Sequence, residues 1–162
     1  QIEASYTLLG GSPGSGSSEI VEQIKIRNLS GSLLDFHFFQ YTDFDVNGTY
    51  ANDTVQLGQN IFGLFDSAIQ SEGNVHFADT VISPGANHGE AGLWPSILNK
   101  LTDGSPTTLN DQNAAGPGDV TWAFQWDRTI ANNGSFVISK DKNLAPVPEP
   151  SSLVLLAIGS LG

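Results

Sequence analysis

The spacing Asp43-x-Asp45-x-Asn47-Gly48 sets oxygen ligands at alternate positions, then a glycine where a sharp turn is needed, which is how a calcium loop opens. The twelfth position of such a loop needs a bidentate glutamate; here it is Thr54, with Asp53 one place earlier. The flanks read as strands and not as helices. A strand ending in a hairpin turn with solvated carboxylates is therefore the favoured reading, and calcium at Asp43, Asp45 and Asn47 is the one cofactor on offer. The histidines His37, His76 and His88 are widely separated and share no metal-ligand spacing; His88 sits in a Gly-rich stretch with the carboxylate of Glu90 two places on. Gly10-x-Ser12-x-Gly14 formally matches a nucleophile elbow, but that motif needs a strained strand-to-helix turn, and this serine sits in a Gly/Ser-rich stretch. A Ser/His/Asp site is spatial and any fold can assemble one, yet nothing in the sequence argues for it. The expectation is a non-enzymatic protein. Trp94, Trp122, Trp126 and Tyr50 would suit a sugar-stacking platform, although Trp122, Phe124 and Trp126 share a strand face that a sandwich normally turns to its core.

These residues must be carried by strands. Ile2 to Leu9 reads as an edge strand or an arm, followed by a flexible connector, Gly10 to Ser18. Ile20, Ile24 and Ile26 alternate with Gln23, Lys25 and Arg27, and Glu22 is the exception on the apolar face. Leu33 to Phe44 is dense in aromatic residues, and Asn47-Gly48 supplies a tight turn. Further strands are expected at Thr54–Leu57, Ile61–Gln70 and Asn74–Ile82. Leu93, Trp94, Ile97, Leu98 and Leu101 recur at helical spacing, predicting a short helix over Ala91–Leu101 with Pro95 in its first turn. Asp103–Asp119 reads as loop, Val120–Trp126 as a half-buried strand, and Ser135–Ser139 as the last strand. Together these predict an all-β fold: an antiparallel β-sandwich of seven or eight strands, Ig-like or jelly-roll-like, with one short helix and extended N- and C-terminal arms. The expected division is an N-terminal arm and linker (1–18), a sandwich (19–143), and a Pro-rich linker with an apolar C-terminal segment (144–162).

Composition narrows the function classes. Within 162 residues, 17 acidic side chains face 6 basic ones, a net charge of −11 that repels phosphate backbones and anionic lipid. Nucleic acid is thereby excluded as an expected partner, and membrane contact only through the C-terminal segment is expected. Gly, Ser, Asn and Thr make up about a third of the chain, which suits short strands joined by many turns. With no cysteine there is no disulfide framework, thiolate nucleophile or Cys-based zinc site. Methionine is absent even at position 1, so Gln1 is read as a processed start, of the kind that signal-peptide removal leaves.

The tail changes character abruptly. Ala145-Pro146-Val147-Pro148-Glu149-Pro150 precedes twelve uncharged residues, Ser151 to Gly162, too few to span a bilayer that takes about 20. Val147-Pro148-Glu149-Pro150 before an apolar C-terminus resembles the PEP-CTERM sorting signal of Gram-negative bacteria. Tyr41-Thr42-Asp43-Phe44-Asp45, Thr121-Trp122-Ala123-Phe124-Gln125-Trp126-Asp127 and Ser139-Lys140-Asp141-Lys142 resemble segments recurring in such proteins. The resemblance implies export to the extracellular space or outer surface of a Gram-negative bacterium, processing by an exosortase, and association with polysaccharide and biofilm matrix. The family's terminal basic cluster is missing, which is read as truncation or processing. In such a protein the Asn-x-Ser/Thr sequons at Asn28, Asn47, Asn52 and Asn133 are turn composition. Pro146, Pro148 and Pro150 delete amide donors from one edge of an extended chain only. The run Leu153, Val154, Leu155, Leu156 and Ile158 is a candidate assembly arm, entering a groove of a neighbouring subunit and building a homo-oligomer or filament. The expected function is a surface or extracellular-matrix structural protein; the alternative is a carbohydrate-binding module for matrix polysaccharide, monomeric and membrane-anchored.

Overall fold

The computed structural model describes residues 1–146. The sorting motif Val147–Pro150 and the arm residues Leu153, Val154, Leu155, Leu156 and Ile158 lie outside the described residues. Ten strands run in chain order as β1 (Ile2–Gly10), β2 (Ser18–Arg27), β3 (Leu34–Asp43), β4 (Asp53–Gln59), β5 (Phe65–Glu72), β6 (Val75–Ser83), β7 (His88–Leu93), β8 (Ala114–Gly118), β9 (Val120–Ile130) and β10 (Ser135–Pro146). One helix, α1 (Ser96–Thr102), follows β7, and a 3-10 turn at Val46–Gly48 follows β3. The strands form two antiparallel sheets, one of seven in the order β1-β2-β10-β6-β5-β4-β8 and one of three, β3-β9-β7. This is an all-β sandwich, as its alternating sequence predicts.

The core lies between the sheets. β9 turns Trp122, Phe124 and Trp126 inward, where they meet Ile24, Ile26, Val55, Leu57, Phe65, Phe77, Val81 and Ile138 of the larger sheet. Trp126 donates its indole N–H to the Pro84 carbonyl at 2.9 Å, so its one polar atom is satisfied in the interior. Gly89 of β7 lets the sheets approach, because a Cβ there would lie 2.8 Å from the Phe65 ring. On the outer face of the small sheet, Ile97 of α1 and Leu109 cover Ala123 with Phe39, Tyr41 and Leu101, and the Lys100–Glu90 ion pair at 2.6 Å clamps the helix down.

Several expectations are corrected. Of the two readings of the first apolar run, the edge strand holds and the arm does not: Ile2–Gly10 is the outermost strand of the large sheet. It pairs with β2 from Ile2↔Ile26 to Gly10↔Ser18, and the Gly/Ser stretch closes their hairpin. The helix is shorter than Ala91–Leu101, because His88–Leu93 is held in register with β9 and tertiary pairing overrides the helical spacing. Phe65, not Ile61, begins its strand; Ile61 and Phe62 form an exposed turn folded around Asn60. The stretch 103–119 contains β8, whose Ala114, Ala115 and Gly118 carry little strand propensity of their own. β10 runs on past residue 143 to Pro146, pairing Leu144, Ala145 and Pro146 with β6.

Glu22 is explained by its neighbours across the sheet. Lys140 lies directly opposite it, and Lys142 lies directly opposite Asp79 of β6, so two acids and two lysines share the inner face of the large sheet. Their contacts run diagonally: Lys140 Nζ meets Asp79 Oδ2 at 2.5 Å and Lys142 Nζ meets Glu22 Oε2 at 2.8 Å.

Candidate functional site

The seven-stranded sheet is wider than the sheet it packs against. Gln40 of β3 reaches Glu22 on β2 and Lys140 on β10, which sets the outermost strand of the small sheet beneath those two. Beyond them, among the described residues, β1 has no facing strand, and all nine of its residues are exposed. Ile2, Ala4, Tyr6 and Leu8 pair with inward residues of β2 and so point to the core side. Ile2, Tyr6 and Leu8 nevertheless stay 56%, 63% and 70% exposed. On the small sheet, β3 has a partner on one side only, and Phe36 and Phe38 are only partly buried. Among the described residues, the space between the free edge of β3 and the inner face of β1 and β2 is thus an uncovered slot bordered by apolar side chains.

One end of this slot deepens into a cleft of about 440 Å³ lined chiefly by Ile20, Phe44, Val46, Val75, Phe77 and Leu144. Leu8 stands opposite Ile20, so overhang and cleft are continuous. The last described residue, Pro146, pairs with Val75 at the rim of this cleft.

Of the calcium candidates, Asp45 and Asn47 border the cleft. Asp43 ends β3, where its Oδ2 accepts the Tyr41 hydroxyl at 3.2 Å. Burial, with the Asp43 carboxylate adding to it, pushes the Tyr41 phenol up to about 12. Asp45 precedes the 3-10 turn and Asn47 lies within it at φ 58°, a left-handed position that asparagine tolerates. The turn is fixed from beneath by Asp53, whose Oδ2 accepts the Val46 N–H at 3.2 Å and also the Gln70 amide. Burial pushes the Asp53 carboxyl up. Asp119, half-buried and raised by desolvation and then by the nearby Asp43 and Asp45, adds a third carboxylate there. Among the described residues no group of three or more His, Cys, Asp or Glu side chains is arranged to hold a metal ion.

A second constellation sits on the outer face of the small sheet. Asp127 of β9 lies opposite His37 of β3, and their side chains meet at 2.6 Å between Oδ1 and Nδ1. Gln125 Nε2 donates to the same oxygen at 2.7 Å, and Asp127 Oδ2 is 3.6 Å from His88 Nε2. Asp111 takes the other side of His88, 3.1 Å from its Nδ1. The Asp127 hydrogen bond raises His37; burial opposes the lowered Asp127 carboxyl, but Gln125 and His37 hold it down. His37 also borders a cleft of about 400 Å³ with Phe39, Leu101, Ser105, Pro106, Thr107 and Thr108. Thr107 Oγ1 donates to the Lys100 carbonyl, and no hydroxyl of this cleft is hydrogen-bonded to His37 among the described residues. The arrangement supplies the His–Asp half of a nucleophilic site without an engaged nucleophile.

Sequence spacing points His88 to Glu90, but Glu90 is committed to Lys100, and the true partners come from residues 23 and 39 positions away. The His37–Asp127 pair spans 90 positions and has no local signal. His76 is bonded to Ser71 across the β5–β6 hairpin at 2.6 Å. Ser12 lies in the hairpin loop between β1 and β2, with no helix after it. Trp122 and Trp126 are fully buried and unavailable for stacking, whereas Trp94 and Tyr50 are exposed on separate loops. Among the described residues no helix is long and apolar enough to cross a membrane. No protein-family model matches the chain, and no curated protein is detectably similar to it.

Proposed function

We propose that this chain is a non-enzymatic structural protein of an exported bacterial surface or extracellular matrix, and that copies associate by strand donation. The observation that carries the reading is the uncovered slot beside β3, walled by Ile2, Tyr6 and Leu8 and opening into the apolar cleft. Its occupant is the segment Leu153–Ile158 of a second copy. That run is uncharged, apolar and about the length of an ordinary strand. Its own β10 is described as far as Pro146 at the cleft rim, and the sequence between that point and the donor run holds Pro148 and Pro150, residues that favour extended backbone. Addition to the β3 edge would satisfy amides that β3 otherwise presents to solvent, and would cover apolar surface at the same time. Each subunit then offers one donor and one acceptor, a heterologous contact whose repetition makes a filament. The resemblance of Val147–Pro150 to a PEP-CTERM motif supports export and exosortase handling of the same tail.

Deletion of Ser151–Gly162 tests this directly. The full chain is expected to form polymers visible by negative-stain electron microscopy, and the shortened chain to sediment as a monomer that binds a synthetic 147–162 peptide. Identical polymers from both chains, or a full chain monomeric at every concentration, would overturn it.

A further inference from the structure

The buried lysine–aspartate contact between β10 and β6 is unusual in its setting. Lys140 and Asp79 each have no solvent-exposed side-chain surface, and Nζ lies 2.5 Å from Oδ2. The other carboxyl oxygen of Asp79 has no hydrogen-bond partner among the described residues. The Phe124 ring stands 5.4 Å from Nζ, Gln40 Oε1 accepts a hydrogen bond from it, and Gln40 Nε2 in turn donates to Glu22 at 3.0 and 3.2 Å. The β10–β6 ladder shifts register between Ser139 and Lys140, an irregularity of the kind that re-aims side chains. We infer that Lys140 and Asp79 condense within the folded domain to an amide, covalently joining β10 to β6.

The step balances without any co-reactant. A bond forms between Nζ and Cγ of Asp79, and the Cγ–Oδ1 bond breaks. Oδ1 leaves as water with one proton from the carboxylic acid and one from the amine, and the amide keeps a single N–H directed at Gln40. Such a condensation needs both groups neutral, and in water their ionisation is what favours the separated acid and amine. Here burial drives the amine down and the acid up, each opposed by attraction to its partner. Holding Nζ against the Asp79 carboxyl group replaces a bimolecular encounter, which is worth a high effective molarity. Glu22 stands opposite Lys140 in register, where its charge stabilises the positive nitrogen of the tetrahedral intermediate. Burial opposes ionisation of Glu22, but Lys142 and Gln40 hold it below its ordinary value, so it remains a carboxylate.

The experiment is a tryptic map of the folded, incubated full chain by mass spectrometry. The amide blocks cleavage after Lys140, so residues 28–100 and 129–142 should appear as one branched peptide lighter than the sum of its parts by one water. Mapping is required because cyclisation of Gln1 also lowers the intact mass, by one ammonia. Asp79→Asn should give the same branched product with ammonia released in place of water, and Asp79→Ala should give none. Glu22→Gln should slow its appearance at least tenfold. Quantitative recovery of separate 28–100 and 129–140 peptides from folded protein would overturn the inference, and no variant is needed to obtain that result.

Discussion

If the slot beside β3 receives a strand, then its far wall must matter to association and hardly at all to the fold. Ile2→Thr with Leu8→Thr tests this while keeping strand-forming residues at the edge. Complete burial of such side chains is worth about 1.5–3 kcal/mol each. With 56% of Ile2 and 70% of Leu8 still exposed, the surface left to be covered is worth roughly 2–4 kcal/mol for the pair. Each threonine retains one methyl, so the expected loss is roughly 1.5–3 kcal/mol, a weakening of about 10- to 150-fold. Sedimentation velocity across a concentration series should show the association midpoint move by that factor. The melting temperature of the monomer, in the chain lacking Ser151–Gly162, should fall by only a few degrees, because the exposed parts contribute nothing to the isolated fold. Unchanged association with a large loss of monomer stability would refute the slot as the acceptor, since β1 would then be a purely structural edge.

Other perturbations address the rest of the molecule. Ile138→Ala empties a fully buried position at the centre of β10 and should cost about 3 kcal/mol, lowering Tm by roughly 6–12 °C in thermal melts. Asp127→Asn removes the hydrogen bond that raises His37, so the His37 ring should titrate at lower pH by NMR; an unmoved titration would break the pairing. Because His37 is raised in the folded chain, its stabilising effect is complete below its unfolded value and is lost as pH rises through the folded one. For Asp127 the sign reverses: its depressed carboxyl stabilises above the unfolded value and stops doing so as pH falls through the folded one. Calcium is tested at Asp43, Asp45 and Asn47 by thermal melts: a rise in Tm abolished by Asp45→Asn would make them ligands, and an unchanged Tm would leave them the polar groups of a solvated turn.

How far these features are legible in the sequence depends on whether their cause is local. The period-two pattern of β2 and the alternation of Trp122, Phe124 and Trp126 reflect burial of one face, and the folded chain keeps both. Helical spacing over Ala91–Leu101 misleads because Ala91 and Leu93 answer to β9, which sequence neighbours do not reveal. Ala114–Gly118 has no strand signal since its place depends on β4. The same holds for sites. The apolar tail that the proposal makes a donor is visible in the sequence, but the proposed acceptor depends on the unequal widths of two sheets, a property of topology alone. Glu22 stands out in the sequence as an anomaly on an apolar face, and only the registers of β2, β10 and β6 turn that anomaly into a quartet.

That quartet bears on stability in a way that separates two chemistries. Buried ion pairs are often no more stabilising than apolar groups of similar volume. If Lys140 and Asp79 were only an ion pair, Lys140→Met with Asp79→Leu should leave Tm level or raise it. An amide between them closes a loop of roughly 60 residues, and by the chain-entropy argument used for disulfides such a link stabilises by about 4 kcal/mol. The double variant would then melt roughly 8–16 °C lower. The placement also fits the load the proposed filament would carry. Tension applied to the tail enters the domain through β10, whose final residues are held by hydrogen bonds to β6 alone after Leu144. An amide at Lys140 would stop the peeling of β10 from β6 a few residues inside that end. A double variant that melts at or above the parent temperature, with no branched peptide in the parent, would leave this pair an ordinary buried ion pair.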